Sequence, residues 1–190
     1  MEMSEQHCLI SDATKAKVDI LCVQEARIEE LHTLVNTKGY DIFACQGTIW
    51  KNKVNASNGG LIFMVKRGQK IKVLEEPQKI TQKIGKLVIE LPNKKKMTIL
   101  NVHAPTGAPD AKNDRREFWT KLDDAIGKAQ GELIICGDMN AEIPRIQMDE
   151  GENDPIAGQF THKTLNDSDQ AKLLRDTAEM RGLRDAHSMF

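Results

Sequence analysis

A chain of 190 residues has room for one domain with a substantial core and is short for two. Hydrophobic residues make up 39% and charged residues 29%, the balance of a soluble globular protein, and aromatics at 4% leave most of the core to aliphatic side chains. A formal net charge of −1 excludes a globally basic nucleic-acid binder, so any such contact has to come from a local site.

The amino-terminal stretch Met1-Glu-Met-Ser-Glu-Gln-His7 is polar and acidic, unlike a secretory signal. No apolar run approaches the roughly 18 residues of a membrane-spanning helix, so no membrane partner is expected. The cysteines Cys8, Cys22, Cys45 and Cys136 make no Cys-x-x-Cys pair and no zinc-like spacing with histidine. Cys22 and Cys136 lie inside apolar runs, where a reduced cysteine behaves as a small hydrophobe. That pattern points to a reducing, intracellular setting, nuclear or cytoplasmic, and not to a secreted one.

In chain order, residues 4–17 read as a short helix and Val18-Asp-Ile-Leu-Cys-Val23 as a buried strand closed by Gln24-Glu25. A helix is predicted from about Arg27 to Asn36, with Ile28, Leu31, Leu34 and Val35 on one stripe and Gly39 beyond its end. Asp41 to Cys45 makes a further short strand. Gln46 to Gly59 reads as a polar loop carrying Lys51 and Lys53, followed by the strand Leu61-Ile-Phe-Met-Val65. Ile71-Lys-Val-Leu74 is another strand candidate. Lys86–Leu91 and Met97–Val102 flank Pro92-Asn-Lys-Lys-Lys96, a hairpin pattern whose basic tip reads as solvated rather than as a DNA contact. Residues 112–129 carry the longest helical pattern, with Phe118, Leu122, Ala125, Ile126 and Ala129 on one face.

Next comes Glu132-Leu-Ile-Ile-Cys-Gly-Asp-Met-Asn140. Its apolar run Leu133–Cys136 reads as a strand buried on both faces, and Gly137 leaves Asp138 and Asn140 just past the strand end. Ligands of α/β sheets bind in such places, although Asp, Asn and Gly are also ordinary turn residues. A polar loop runs from Ala141 to about Asp167, and a helix from about Asp169 to Arg181 ends at Gly182. No internal repeat or linker divides residues 1–190, which read as a single domain. Hairpin strands mixed with strands alternating with helices are satisfied by two packed mixed β-sheets flanked by helices.

Three strand ends share one character: Glu25 after Ile20–Gln24, His103 after Leu100–Val102, and Asp138 with Asn140 after Leu133–Gly137. A lone glutamate at a strand end is ordinarily a solvated rim residue. Glu, His and Asp-x-Asn at three such ends together make a candidate site.

Asp19-Ile-Leu-Cys-Val-Gln-Glu25, Asn101-Val-His-Ala-Pro105 and Gly137-Asp-Met-Asn140 resemble successive motifs of the endonuclease/exonuclease/phosphatase superfamily. This superfamily has the DNase I-like fold and includes apurinic endonucleases and the endonuclease domains of non-LTR retrotransposons. Thr164-Leu-Asn-Asp-Ser-Asp169, Ala171–Ala178 and Gly182-Leu183 are similar to the retrotransposon branch, and the resemblance runs from about residue 5 to 190. It implies a four-layer α/β sandwich and metal-dependent hydrolysis of phosphodiesters, with DNA as the partner and nicking of the retrotransposon type as the activity. By that resemblance Glu25 is the ligand of Mg²⁺ (or Mn²⁺), an ion suited to a hard oxygen donor. Asp138 orients or deprotonates the attacking water, and Asn140 holds the scissile phosphate or a neighbouring group. The chemistry is coherent, because phosphodiester hydrolysis needs charge neutralised on a non-bridging oxygen and a base placed beside water. Lys51 and Lys53 would contact the DNA backbone.

The chain departs from the family pattern in two ways. His103 stands where the family commonly has tyrosine, and its imidazole would donate a hydrogen bond to phosphate; as a structural rim residue it would do nothing chemical. The asparagine-bearing strand expected before the first helix and the Ser-Asp-His motif expected near the end are not among these residues, and His187, after Asp185-Ala186, does not supply the latter. The resemblance therefore implies a domain incomplete at both termini, with activity impaired or lost. The alternatives are a catalytically inactive remnant serving as a binding module, and a phosphatase or exonuclease of the same superfamily.

Overall fold

The computed structural model describes residues 3–26, 39–45, 48–49, 57–58, 60–106, 112–143, 154, 156–157 and 168–186. They fall into two compact units, one of residues 1–103 with 127–138 and one of residues 104–126 with 139–190.

The first unit begins with α1 (Met3–Lys15) and β1 (Ile20–Val23), followed by β2 (Tyr40–Cys45) and the short β3 (Thr48–Ile49) and β4 (Ser57–Asn58). Then come β5 (Leu61–Lys66), β6 (Lys72–Val73), β7 (Gln78–Thr81), β8 (Ile84–Glu90), β9 (Lys96–His103) and β10 (Glu132–Asp138). One sheet has the order β1-β5-β2 and is antiparallel, with Cys22 opposite Phe63 and Phe43 opposite Phe63. The other has the order β10-β9-β8-β6, with β7 also on β8; all its pairs are antiparallel except β9 with β10, which run parallel.

β5 explains why Leu61–Val65 is uninterruptedly apolar. Alternate side chains of a strand face opposite sides of the sheet. Leu61, Phe63 and Val65 enter a core with Cys45 of the neighbouring β2 and with Leu87, Ile89 and Ile99 of the facing sheet. Ile62 and Met64 pack on the other side with Ala13 of α1, Ala26 and Tyr40. The Tyr40 hydroxyl is satisfied by donating to the Val18 carbonyl at 2.6 Å.

The same inference fails for β10. Its run was expected to be covered on both faces, but β10 lies at the end of its sheet among the described strands, and Ile134 is 46% exposed. An apolar run reports hydrophobicity without reporting position in the sheet. The predicted strand 71–74 shrinks to Lys72–Val73, and the too-polar Gln78-Lys-Ile-Thr81 is a strand because β8 pairs with it. The presumed loop 46–59 contains β3 and β4. The predicted helix 27–36 lies outside the described residues.

The hairpin between β8 and β9 forms as expected. Lys94 takes a left-handed φ of 68°, with Lys94 N–H on the Leu91 carbonyl and Leu91 N–H on that of Lys95. Lys94 and Lys95 sit 2.9 and 3.0 Å from Glu90 and Glu132, so the basic tip is partly neutralised by its own carboxylates.

The second unit contains α2 (Lys112–Gly127, whose last residue falls to the first unit) and α3 (Asp169–Arg181). Ser168 caps α3 by accepting from Ala171 N–H, and Gly182 closes it at φ 63°, with Leu183 N–H on the Ala178 carbonyl. Arg181 holds Asp123 of α2 in a fork of 2.7 and 2.8 Å. That hydrogen bond keeps the Asp123 carboxyl below its ordinary pKa. A depressed carboxyl stabilises the fold above its unfolded pKa, about 3.9, and the benefit disappears as pH falls through the lower folded value. The pair is largely exposed, so the effect is small. The stability difference between the wild type and Arg181→Gln, read from urea midpoints, is expected to shrink between pH 7 and pH 2; a difference unchanged at pH 2 contradicts this linkage.

Candidate active site

The carboxyl ends of β9 and β10 finish together, because their parallel register sets Asp138 beside His103. His103 is anchored through its own N–H, which donates to the Lys83 carbonyl at 2.9 Å. Its Nε2 lies 3.6 Å from Glu25 Oε1, beyond good hydrogen-bond distance. The His103 side chain is 16% exposed and that of Glu25 53%, so a mostly covered imidazole meets a carboxylate open to solvent.

Glu25 reaches this place through an unusual backbone. Its φ is 51°, the left-handed region that a β-carbon disfavours, and the Ala26 N–H closes the turn on the Gly60 carbonyl at 3.1 Å. Beneath it, Gln24 Nε2 donates to Asn101 Oδ1 at 2.7 Å. Asn101 is fully buried, and its Nδ2 donates to the Val23 and Ile62 carbonyls at 3.2 and 3.0 Å. Cys22 and Cys136 sit among the same packed side chains. The Cys136 sulfur beside it, and then burial, push the Cys22 thiol up, so at neutral pH it stays protonated and packs as a hydrophobe.

Gly137 is required by the close approach of β10 to β9. At φ 138°, a β-carbon there would lie 1.9 Å from the Val102 carbonyl oxygen. Gly137→Ala is therefore expected to cost about 3 kcal/mol through strain and strand separation. A urea midpoint equal to the wild type would refute that requirement.

In the second unit, Asn140 has φ 46°, and its Nδ2 donates to the Ala104 carbonyl at 2.7 Å. Gln170, in the first turn of α3, donates to the Pro105 and Met139 carbonyls at 2.6 and 3.1 Å. These two amides lace the segment following β9 to the segment following β10. Of the sequence-derived candidates, the first unit thus brings together Glu25, His103 and Asp138, while Asn140 is engaged within the second. Lys51 and Lys53 lie outside the described residues. Sequence reasoning passed over Asn101, Gln24 and Gln170; a polar Asn inside the apolar run of β9 was the available signal for the first.

Among the described residues no three His, Cys, Asp or Glu side chains converge into a metal cage. One open carboxylate does fit Mg²⁺, which keeps several waters and takes only one or two protein carboxylates alongside substrate phosphates.

The sequence profile of the Endonuclease/Exonuclease/phosphatase family matches residues 6–173. No curated protein sequence matches the chain. Among solved structures, the AP endonuclease LMAP from Leishmania major is similar with a TM-score of 0.60 and 12% identity, over 91% of this chain and 60% of that one. The catalytic domain of Xenopus laevis APE2 gives 0.51 and 16%, over 88% and 62%, and truncated Caenorhabditis elegans TDP2 gives 0.50 and 16%, over 72% and 55%. The chain thus spans about 60% of the length of the first two structures. At these identities the likeness is one of fold: among the described residues the β1-β5-β2 and β10-β9-β8-β6 sheets and the three helices form a DNase I-like α/β fold. With 168 of its 190 residues inside the matched region, from 6 to 173, the chain belongs to the Endonuclease/Exonuclease/phosphatase family.

Proposed function

We propose that the chain carries the centre of a Mg²⁺-dependent phosphodiesterase that nicks DNA in the manner of retrotransposon endonuclease domains. The observation that carries this reading is the meeting of strand ends in the first unit: His103 has Glu25 at 3.6 Å and Asp138 as its strand neighbour. The structures it is similar to include one named as an AP endonuclease, which supports a nuclease reading over other phosphodiesterases. The α3 segment, with its preceding Asn166-Asp-Ser168, favours the retrotransposon kind.

In this reading Glu25 holds the cation, and its solvent-facing carboxylate leaves space for waters and a phosphate oxygen. A divalent ion there supplies neutralisation of the charge that develops on a non-bridging oxygen. Asp138 orients the attacking water and accepts its proton. His103 donates a hydrogen bond to a phosphate oxygen, its ring held by the anchored backbone of β9. Lys51 and Lys53 meet the DNA backbone.

The test is conversion of supercoiled plasmid to nicked circles with Mg²⁺. The wild type is expected to nick, and Glu25→Ala or chelation of the metal to reduce nicking to background. Absence of nicking, or nicking at equal rates in wild type and Glu25→Ala, would sink the reading and favour an inactive binding module.

A further inference from the structure

Glu25 and His103 belong to a ladder of two rungs. Asn101 and His103 are two residues apart on β9 and so face the same side of the strand. On that side Asn101 meets Gln24, and His103 meets Glu25. The lower rung is the rigid one. Asn101 is fully buried, donates to the carbonyls of both Val23 and Ile62, which pair with each other across β1 and β5, and accepts from Gln24. A buried amide with donors and acceptor all engaged has one orientation available to it.

The residue it grips is the one before Glu25. The left-handed backbone of Glu25 is not a conformation its side chain favours, so local preference does not hold the turn. Tertiary bonds hold it from both sides: Gln24 to Asn101 on one, Ala26 N–H to the Gly60 carbonyl on the other. We propose that Gln24 and Asn101 are positioning residues that fix the Glu25 carboxylate opposite His103, and so set the cation affinity of the site. The proposal rests on the reading of Glu25 as the cation's ligand. An apolar pair at these positions would fill the same space but would leave the Glu25 turn free to relax toward ordinary backbone angles.

The test uses Mn²⁺ alone as the probe, followed by loss of its free-ion EPR signal and by paramagnetic broadening of the Glu25 amide resonance. Gln24→Met removes the carboxamide at nearly constant length and leaves the Asn101 bonds to Val23 and Ile62 intact. It is expected to weaken Mn²⁺ binding about 10-fold while the protein stays folded with a melting temperature lowered by several degrees, because the buried Asn101 Oδ1 loses its donor, whereas Glu25→Gln removes the binding. Should Gln24→Met fold poorly, Gln24→Ser carries the same expectation. If Glu25→Gln loses Mn²⁺ while the folded Gln24 variant binds like the wild type, the positioning role is overturned and the reading of Glu25 stands. If wild type and Glu25→Gln behave alike, both fall.

Discussion

Asp138→Asn is expected to lower the rate of phosphodiester hydrolysis about 10²–10⁴-fold, the usual contribution of a placed general base, with thermal stability unchanged. The substitution keeps the shape and hydrogen-bonding reach of the side chain and removes its capacity to accept a proton. Asp138 is exposed at the last position of β10, and the strand's place is held by its ladder to β9 and by the close approach at Gly137. The change therefore isolates chemistry from folding, which Gly137→Ala cannot do. The loss should appear in kcat, with KM for a small aryl phosphodiester or for plasmid within about threefold, since the missing interaction belongs to the transition state. A rate within threefold of the wild type would remove Asp138 from the reaction.

The second large effect is on folding. Arg175→Met is expected to destabilise the second unit by about 3–5 kcal/mol, because it strips the partner from a buried carboxylate. Asp154 is fully covered and takes both ends of the Arg175 guanidinium, at 2.7 and 3.2 Å. Its Oδ1 also accepts the N–H groups of Ile156 and Ala157, so one carboxylate fastens the 154–157 turn to α3. Donating to Asp154 strengthens the hold of Arg175 on its proton further, so the cation persists at every accessible pH. Adding Asp154→Asn to the methionine variant should recover part of the loss, since the amide oxygen still accepts a backbone N–H and no lone charge stays buried. Urea midpoints and amide exchange in α3 measure both. A loss below about 1 kcal/mol would mean that water reaches the carboxylate once arginine is gone.

Much of this fold was legible in the sequence, for physical reasons that differ by element. The limits of α3 follow from Ser168 and Gly182, whose cap geometries are local properties of a serine and a glycine. β5 announced itself because both of its faces are covered, and the hairpin of β8 and β9 because its turn lies in a contiguous stretch. The candidate site was legible as three strand ends with the right side chains. Their adjacency depends on β9 and β10 pairing in parallel across an intervening helix, which no local signal encodes. The expectation that β10 is covered on both faces failed because its apolar run carries no record of what lies over it. The amide bridge of Gln24 and Asn101 was unreadable from either motif alone, since each residue makes sense only when the other is beside it.

That bridge also carries a clock. Its two halves are 77 residues apart, and at about 5–20 residues per second of synthesis Asn101 follows Gln24 by about 4–15 s. During that interval α1, β1, β2 and β5 can pair with one another, but the face bearing Cys22 and Phe63 waits bare for β8 and β9. Until then the Glu25 turn lacks the Gln24–Asn101 brace and relies on the bond from Ala26 N–H to the Gly60 carbonyl. The candidate rim is thus expected to be assembled late, with low φ-values at Gln24 and higher ones in the β8–β9 hairpin. A nascent chain halted before residue 101 would be the form most in need of a chaperone.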